Sequence, residues 1–242
     1  MAGMVLVALA LLMFGCSQSL EADLYSPKDT SSSAQSSSIP LSSSSASCGG
    51  AVDCGTILDD RIGAGQSYRW VQIGAQKWMA ENLAYRGETG LLGQCLWDCS
   101  VYGLLYNWNE AVQGDSSMQA LSEVQGLCMP RWHVPSEDEW ATLESFAGQY
   151  GDPAMMLRST ESYWITDPGS DYFGFSARPG GSFSSSNMVA EGYYGMWWTA
   201  TSYSTSLTTY EVLSQSIYGG VPGMARNRLP PDARLSVRCV AD

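Results

Sequence analysis

Hydrophobic and polar positions along this chain alternate in short runs rather than long ones. Ser67-Tyr68-Arg69-Trp70-Val71-Gln72-Ile73 is rich in β-formers and stops at Gly74, so it reads as a strand. Gln76 to Leu83 continues as a second strand and turn. Leu104 to Val112 carries a weak helical pattern that ends at Gly114. The clearest helix runs from Ser136 to about Ala147. Ser136 with Glu139 makes a capping box, and acidic residues at 137 to 139 suit the positive end of a helix. Trp140, Leu143 and Ala147 share one face at helical spacing, and Gly148 can end it. After Gly151 the chain is mostly loops and short strands, with strands expected over Tyr193 to Thr201, Thr209 to Tyr218 and Leu235 to Val240.

The beginning of the chain has a different character. Met4 to Phe14 is apolar and uncharged and ends at Gly15-Cys16. About a dozen apolar residues are too few to span a bilayer, but they suit the core of a signal peptide. Leu12-Met13-Phe14-Gly15-Cys16 resembles a bacterial lipobox, which implies lipidation of Cys16. Residues 1–15 are then a leader that is removed. Residues 16–47 read as a tether: eleven of the seventeen residues from Ser31 to Ser47 are serine. Such a stretch buries too little apolar surface to offset its ordering entropy. Its r.m.s. reach is roughly 30 Å. Residues 48–242 are long enough for one well-buried domain.

The net charge is −12, with two lysines, Lys28 and Lys77. A chain so acidic is repelled by nucleic acid and by anionic headgroups, so nucleic-acid partners are not expected and contact with a membrane is expected only through the lipid. Besides Cys16 there are six cysteines, Cys48, Cys54, Cys95, Cys99, Cys128 and Cys239. An even set in an exported chain points to three disulfides. Six cysteines allow fifteen connectivities; spacing and order suggest Cys48–Cys54, Cys95–Cys99 and Cys128–Cys239. A zinc site is disfavoured, because His133 is the only histidine and there are not two Cys-x-x-Cys pairs.

Four blocks carry a resemblance. They are Gln76 to Leu83 (QKWMAENL), Tyr102 to Trp108 (YGLLYNW), Cys128 to Trp140 (CMPRWHVPSEDEW) and Leu235 to Val240 (LSVRCV). In this order they resemble the Fibrobacter succinogenes major paralogous domain, a family of secreted and lipid-anchored bacterial domains with no established biochemical activity. The resemblance covers roughly residues 56 to 242. It implies an α+β fold of C-type-lectin-like form, with two helices packed on short antiparallel sheets and long irregular loops. It also supports the Cys128–Cys239 pair. Within that fold the chain is similar to the sulfatase-modifying-factor branch: Val134 to Trp140 matches the segment that opens the second helix, and Gly180-Gly181-Ser182 and Val237-Arg238 recur. The oxidase chemistry of that branch needs a neighbouring cysteine pair near the C-terminus. Only Cys239 is there, so the chemistry does not carry over.

Candidate chemistry is sparse. No catalytic residue is assigned. His133 reads as a packed, hydrogen-bonded residue, and helix capping accounts for Glu137, Asp138 and Glu139. The calcium motifs of C-type lectins are not present; no cofactor is expected, although the fold leaves room for a structural calcium. Aromatic residues remain. Trp164, Tyr172, Tyr193, Tyr194, Trp197 and Trp198, with Asn187 in the loop nearby, are the candidate ligand-binding set. Exposed rings among Gly, Ser and Asn suit stacking on sugars or packing on a partner. Alternation along a strand puts one of Trp197 and Trp198 inward and the other outward. The expected function is surface adhesion, to a polysaccharide or to another protein of the outer membrane or cell surface. The alternatives are an active or degenerate enzyme of the sulfatase-modifying-factor type and a purely structural envelope lipoprotein.

Overall fold

The computed structural model describes residues 48–114, 124–184, 188–189, 191–204 and 210–242. Cys16, the leader, the Ser-rich tether and Asn187 lie outside the described residues. The first elements are β1 (Asp53–Asp59), β2 (Gln66–Ile73) and β3 (Gln76–Met79). Helices α1 (Cys99–Tyr102) and α2 (Trp108–Val112) follow, with β4 (Tyr106–Asn107) between them. Next come β5 (Trp132–His133), α3 (Glu137–Ala147) and α4 (Pro153–Leu157). The last part holds β6 (Ser182–Phe183), β7 (Met188–Val189), β8 (Tyr194–Ser204), β9 (Tyr210–Tyr218), β10 (Ala225–Leu229), β11 (Arg234–Leu235) and β12 (Val240–Ala241). The α+β class holds, with four short helices among the described residues where two were expected.

Among the described residues three sheets are formed, in the orders β1-β2-β3-β12-β5, β4-β11-β6-β7 and β10-β9-β8, and every strand pair within them is antiparallel. Parallel bridges from Gly181 to Gly195 and from Trp197 to Ser236 connect β8 to the segments around β6 and β11. The expected strand over Leu235 to Val240 is in fact two short strands in different sheets. The backbone between them explains the switch. Trp198 N–H donates to the Ser236 carbonyl, whereas Leu83 and Met79 N–H donate to the carbonyls of Val237 and Cys239. The segment thus bonds to β8 at one end and to the β3 side at the other.

Two buried hydrophobic clusters form the core, and the first sheet contributes to both. Tyr68 and Met79 join Tyr106, Trp108, Ala111, Val112 and Trp198 in one. Val71, Ile73 and Trp78 join Trp140, Leu143, Ala147, Phe175 and Trp197 in the other. All three expected disulfides are present, Cys48–Cys54, Cys95–Cys99 and Cys128–Cys239. The last spans 111 residues and fastens the segment before β5 to the start of β12. The helix α3 is built as its sequence predicts: Ser136 accepts from Glu139 N–H, the Glu139 carboxylate accepts from Ser136 N–H, and Trp140, Leu143 and Ala147 are its buried residues.

Candidate functional site

The expected aromatic set separates into buried and exposed members. Trp164, Trp197 and Trp198 are buried, the last two completely, at 0% exposure each. Alternation along β8 is obeyed, since Trp197 enters one core cluster and Trp198 the other. The expectation of an outward ring fails because both faces of the strand are covered. Each indole N–H is also used: Trp197 Nε1 donates to Asn82 Oδ1 at 2.8 Å and Trp198 Nε1 to the Tyr106 carbonyl at 2.7 Å. Gly195, two residues before Trp197 on the same face, has no Cβ to obstruct that ring; a Cβ there would lie 2.3 Å from it. Tyr194 is half-buried, hydrogen-bonded through its hydroxyl to Ser182 and packed on Tyr218. Only Tyr172 and Tyr193 of the set are exposed, at 44% and 52%.

Tyr172 is not isolated. Its ring centroid lies 5.5 Å from that of Tyr150, tilted by 33°, and Tyr150 is 51% exposed. The buried Phe173 meets both rings edge-on, at 4.9 Å and 5.2 Å. Phe146 packs on Tyr150 and Phe173 from α3. The backbone carbonyl of Tyr172 accepts from Gly50 N–H at 2.6 Å, within the loop closed by Cys48–Cys54. A Cβ on Gly50 would lie 2.0 Å from the Tyr172 ring, so only glycine lets the ring rest on that backbone. The two tyrosines are therefore a backed, fixed platform. Beside it Asp138, Thr142, Ser145, Phe146 and Gln149 line an open trough of about 520 Å³ along α3. Their spacing places them on one face of the helix. Tyr150 gives little warning in the sequence, because it sits in the turn just after the helix and has no aromatic neighbour in sequence.

The quoted sequence blocks meet elsewhere, in a buried polar hub. Arg238 is fully buried. Its Nη2 donates to Asn82 Oδ1 at 2.7 Å and to the Ser176 carbonyl at 3.2 Å, its Nε donates to Asn82 Oδ1 at 3.2 Å, and Nη1 donates to the Phe175 carbonyl. Asn82 Nδ2 donates in turn to the Tyr102 carbonyl at 2.9 Å and to Ser236 Oγ at 3.2 Å. Burial first, and then the nearby Arg178 charge, lower the Arg238 pKa to about 9. Every acceptor on this guanidinium is neutral. Residues from the Gln76 to Leu83, Tyr102 to Trp108 and Leu235 to Val240 blocks thus hold three parts of the chain together.

The family model of the Fibrobacter succinogenes major domain matches residues 71–241, from within β2 to within β12. The chain belongs to that family. No curated protein and no solved structure matches it. The matched span contains the hub, nearly all of both core clusters, the Cys128–Cys239 disulfide, Tyr150 and Tyr172. In this Fibrobacter succinogenes major domain the quoted blocks supply buried donors, acceptors and core rings.

The same holds for His133. It is buried between two carboxylates, with Nε2 2.7 Å from Glu139 Oε1 and Nδ1 2.8 Å from Asp242 Oδ1. Burial acts to lower its pKa, but the hydrogen bonds it donates to both carboxylates outweigh it, and the pKa is raised. Burial alone would raise Glu139; the His133 and Ser136 hydrogen bonds reverse this and lower it. Glu137 accepts from Arg226 Nη1 and Tyr203 hydroxyl, both at 2.9 Å. In this Fibrobacter succinogenes major domain Glu137 and Glu139 serve as capping and pairing groups. Among the described residues no group of three or more His, Cys, Asp or Glu side chains is placed to hold a metal ion.

Proposed function

We propose that this domain is a non-catalytic binding module, lipid-anchored at the cell surface, that adheres to polysaccharide through Tyr150 and Tyr172. The carrying observation is the platform itself: two exposed rings, 5.5 Å apart, supported by Phe173 and Phe146. Rings held from behind lose little conformational entropy on binding, and their faces match the C–H face of a pyranose. The polar side chains of the α3 trough beside them supply hydrogen-bond partners for sugar hydroxyls. The fold is read as C-type-lectin-like within this proposal. Support comes from the order of strands and helices and from the pairing of β12 with β3, which returns the end of the chain to its first hairpin.

Lipidation at Cys16 and a tether over residues 16–47 complete the reading, and they rest on the sequence alone. Among the described residues no helix is long and apolar enough to cross a membrane. A glycan array together with pull-down on insoluble cellulose tests the function. Retention on at least one polysaccharide, lost when Tyr150 and Tyr172 are both replaced by alanine, is the expected outcome. Retention that is identical with and without the two rings would overturn the assignment to this platform.

A further inference from the structure

A cleft of about 260 Å³ lies between the start of β2, the loop after β3 and α1, and Arg178 lines it. We propose that this cleft is a second sugar subsite, specific for a carboxylate-bearing ring such as a uronic acid, whose carboxylate Arg178 receives. The proposal rests on the glycan-binding reading for its choice of a sugar, and extends it to a different surface of the domain.

Arg178 is built for such a role. Its Nη1 donates to the Val101 carbonyl at 2.6 Å, and its guanidinium lies over the Tyr163 ring at 5.3 Å, so the group is held in place. Its Nε is buried and has no hydrogen-bond partner among the described residues. With Nη1 occupied and Nε buried, Nη2 is the donor left to receive a carboxylate oxygen in a charge-assisted bond. Arg61, Arg69, Arg158, Arg226 and Arg234 each pair with a carboxylate; among the described residues none lies within ion-pair distance of Arg178, as is also true of Arg86, Arg131, Arg228 and Arg238. Glu81 lines the same cleft, but its oxygens accept from Arg69 N–H and Nε at 2.8 Å and 3.1 Å.

In the hub, Arg238 is buried among neutral acceptors; Arg178 is the principal charge acting against it, and Asp171 and Glu81 act in the opposite sense. A negative group bound at Arg178 relieves the repulsion between the two guanidiniums. The volume suits about one pyranose ring, and the exposed Ser67 and the Gln66 amide on the wall suit its hydroxyls. The far wall is firm, since α1 is stapled by Cys95–Cys99 and capped by Asp98.

The test compares three disaccharides on the full chain by calorimetry or ligand-observed NMR: digalacturonate, its neutral methyl ester, and galactobiose. Digalacturonate should bind on the order of tenfold more tightly than either neutral form, and more weakly as salt is raised. Arg178→Gln should remove that preference, while a Tyr150→Ala/Tyr172→Ala variant should keep it. An ester that binds as tightly as the acid overturns the proposal on the unaltered protein, even if Arg178→Gln fails to fold. Undiminished digalacturonate binding by a folded Arg178→Gln overturns it too, as does the absence of digalacturonate binding. None of these results bears on neutral glycan capture at the tyrosines, which the cellulose and array measurements read separately.

Discussion

Single residues set the limits of what the sequence tells. Trp197 and Trp198 obey strand alternation, and their burial depends on what covers each face, which is a tertiary property that no local pattern encodes. Both Trp197→Ala and Trp198→Ala should therefore destabilise by about 3–5 kcal/mol, read from urea unfolding. A cost near zero for either would mean that one face of β8 is open. Likewise Asn82 and Arg238 are unremarkable as letters, and only the fold makes them one hydrogen-bonded hub. His133 reads correctly from sequence as a packed residue, whereas its two carboxylate partners do not, because Asp242 is 109 positions away. Its raised pKa stabilises the fold fully below the ordinary histidine value of 6.5, and that contribution is lost as pH rises through the folded-state pKa. On the acid side the lowered Glu139 pKa contributes stability above the ordinary carboxylate value, lost as pH falls through the folded one. Urea midpoints should accordingly fall as pH rises above about 6.5 in the parent and be flatter in His133→Gln. Parallel pH slopes in the two proteins would refute the sandwich as a source of stability.

Elements were legible where local chemistry decides them. The capping box at Ser136 and Glu139, with three apolar residues on one face, gives α3 almost residue for residue. The hairpin of β2 and β3 follows from β-forming residues around Gly74. Two edge strands, β1 and β10, were not legible. β1 contains Gly and two Asp, and β10 reads Ala-Arg-Asn-Arg-Leu; both pair on one side only, so their polar composition hides the strand. That composition suits an edge, where charge discourages pairing with other chains. The first turn of α4 is a different case: Asp152 caps it and Pro153 opens it, signals that a reading dominated by the loops after Gly151 passes over. The disulfide order suggested by spacing matches the structure, and Cys128–Cys239 joins elements whose contact the sequence separation conceals.

At the scale of the whole molecule, the proposed anchor and tether rest on the sequence of residues 1–47, outside the described domain. If Cys16 carries the lipid, Cys16→Ser should release the protein from membranes and abolish labelling by a fatty-acid probe; unchanged fractionation and labelling would contradict the anchor. The binding surface proposed for the described domain is the platform of Tyr150 and Tyr172, whose rings are both exposed. One of its two rings was legible in the sequence, since Tyr172 stands beside Phe173 in a turn-rich stretch, and the other was not, since 22 positions separate Tyr150 from its partner. The most direct test of the account is a binding isotherm on the polysaccharide retained in the array or pull-down, for the parent and for Tyr150→Ala, Tyr172→Ala and the double variant. Each single change should weaken binding by about 1 kcal/mol or more, roughly fivefold, with the thermal midpoint little changed because both rings are half exposed. Affinity for that polysaccharide that survives removal of both rings in a folded protein would contradict it.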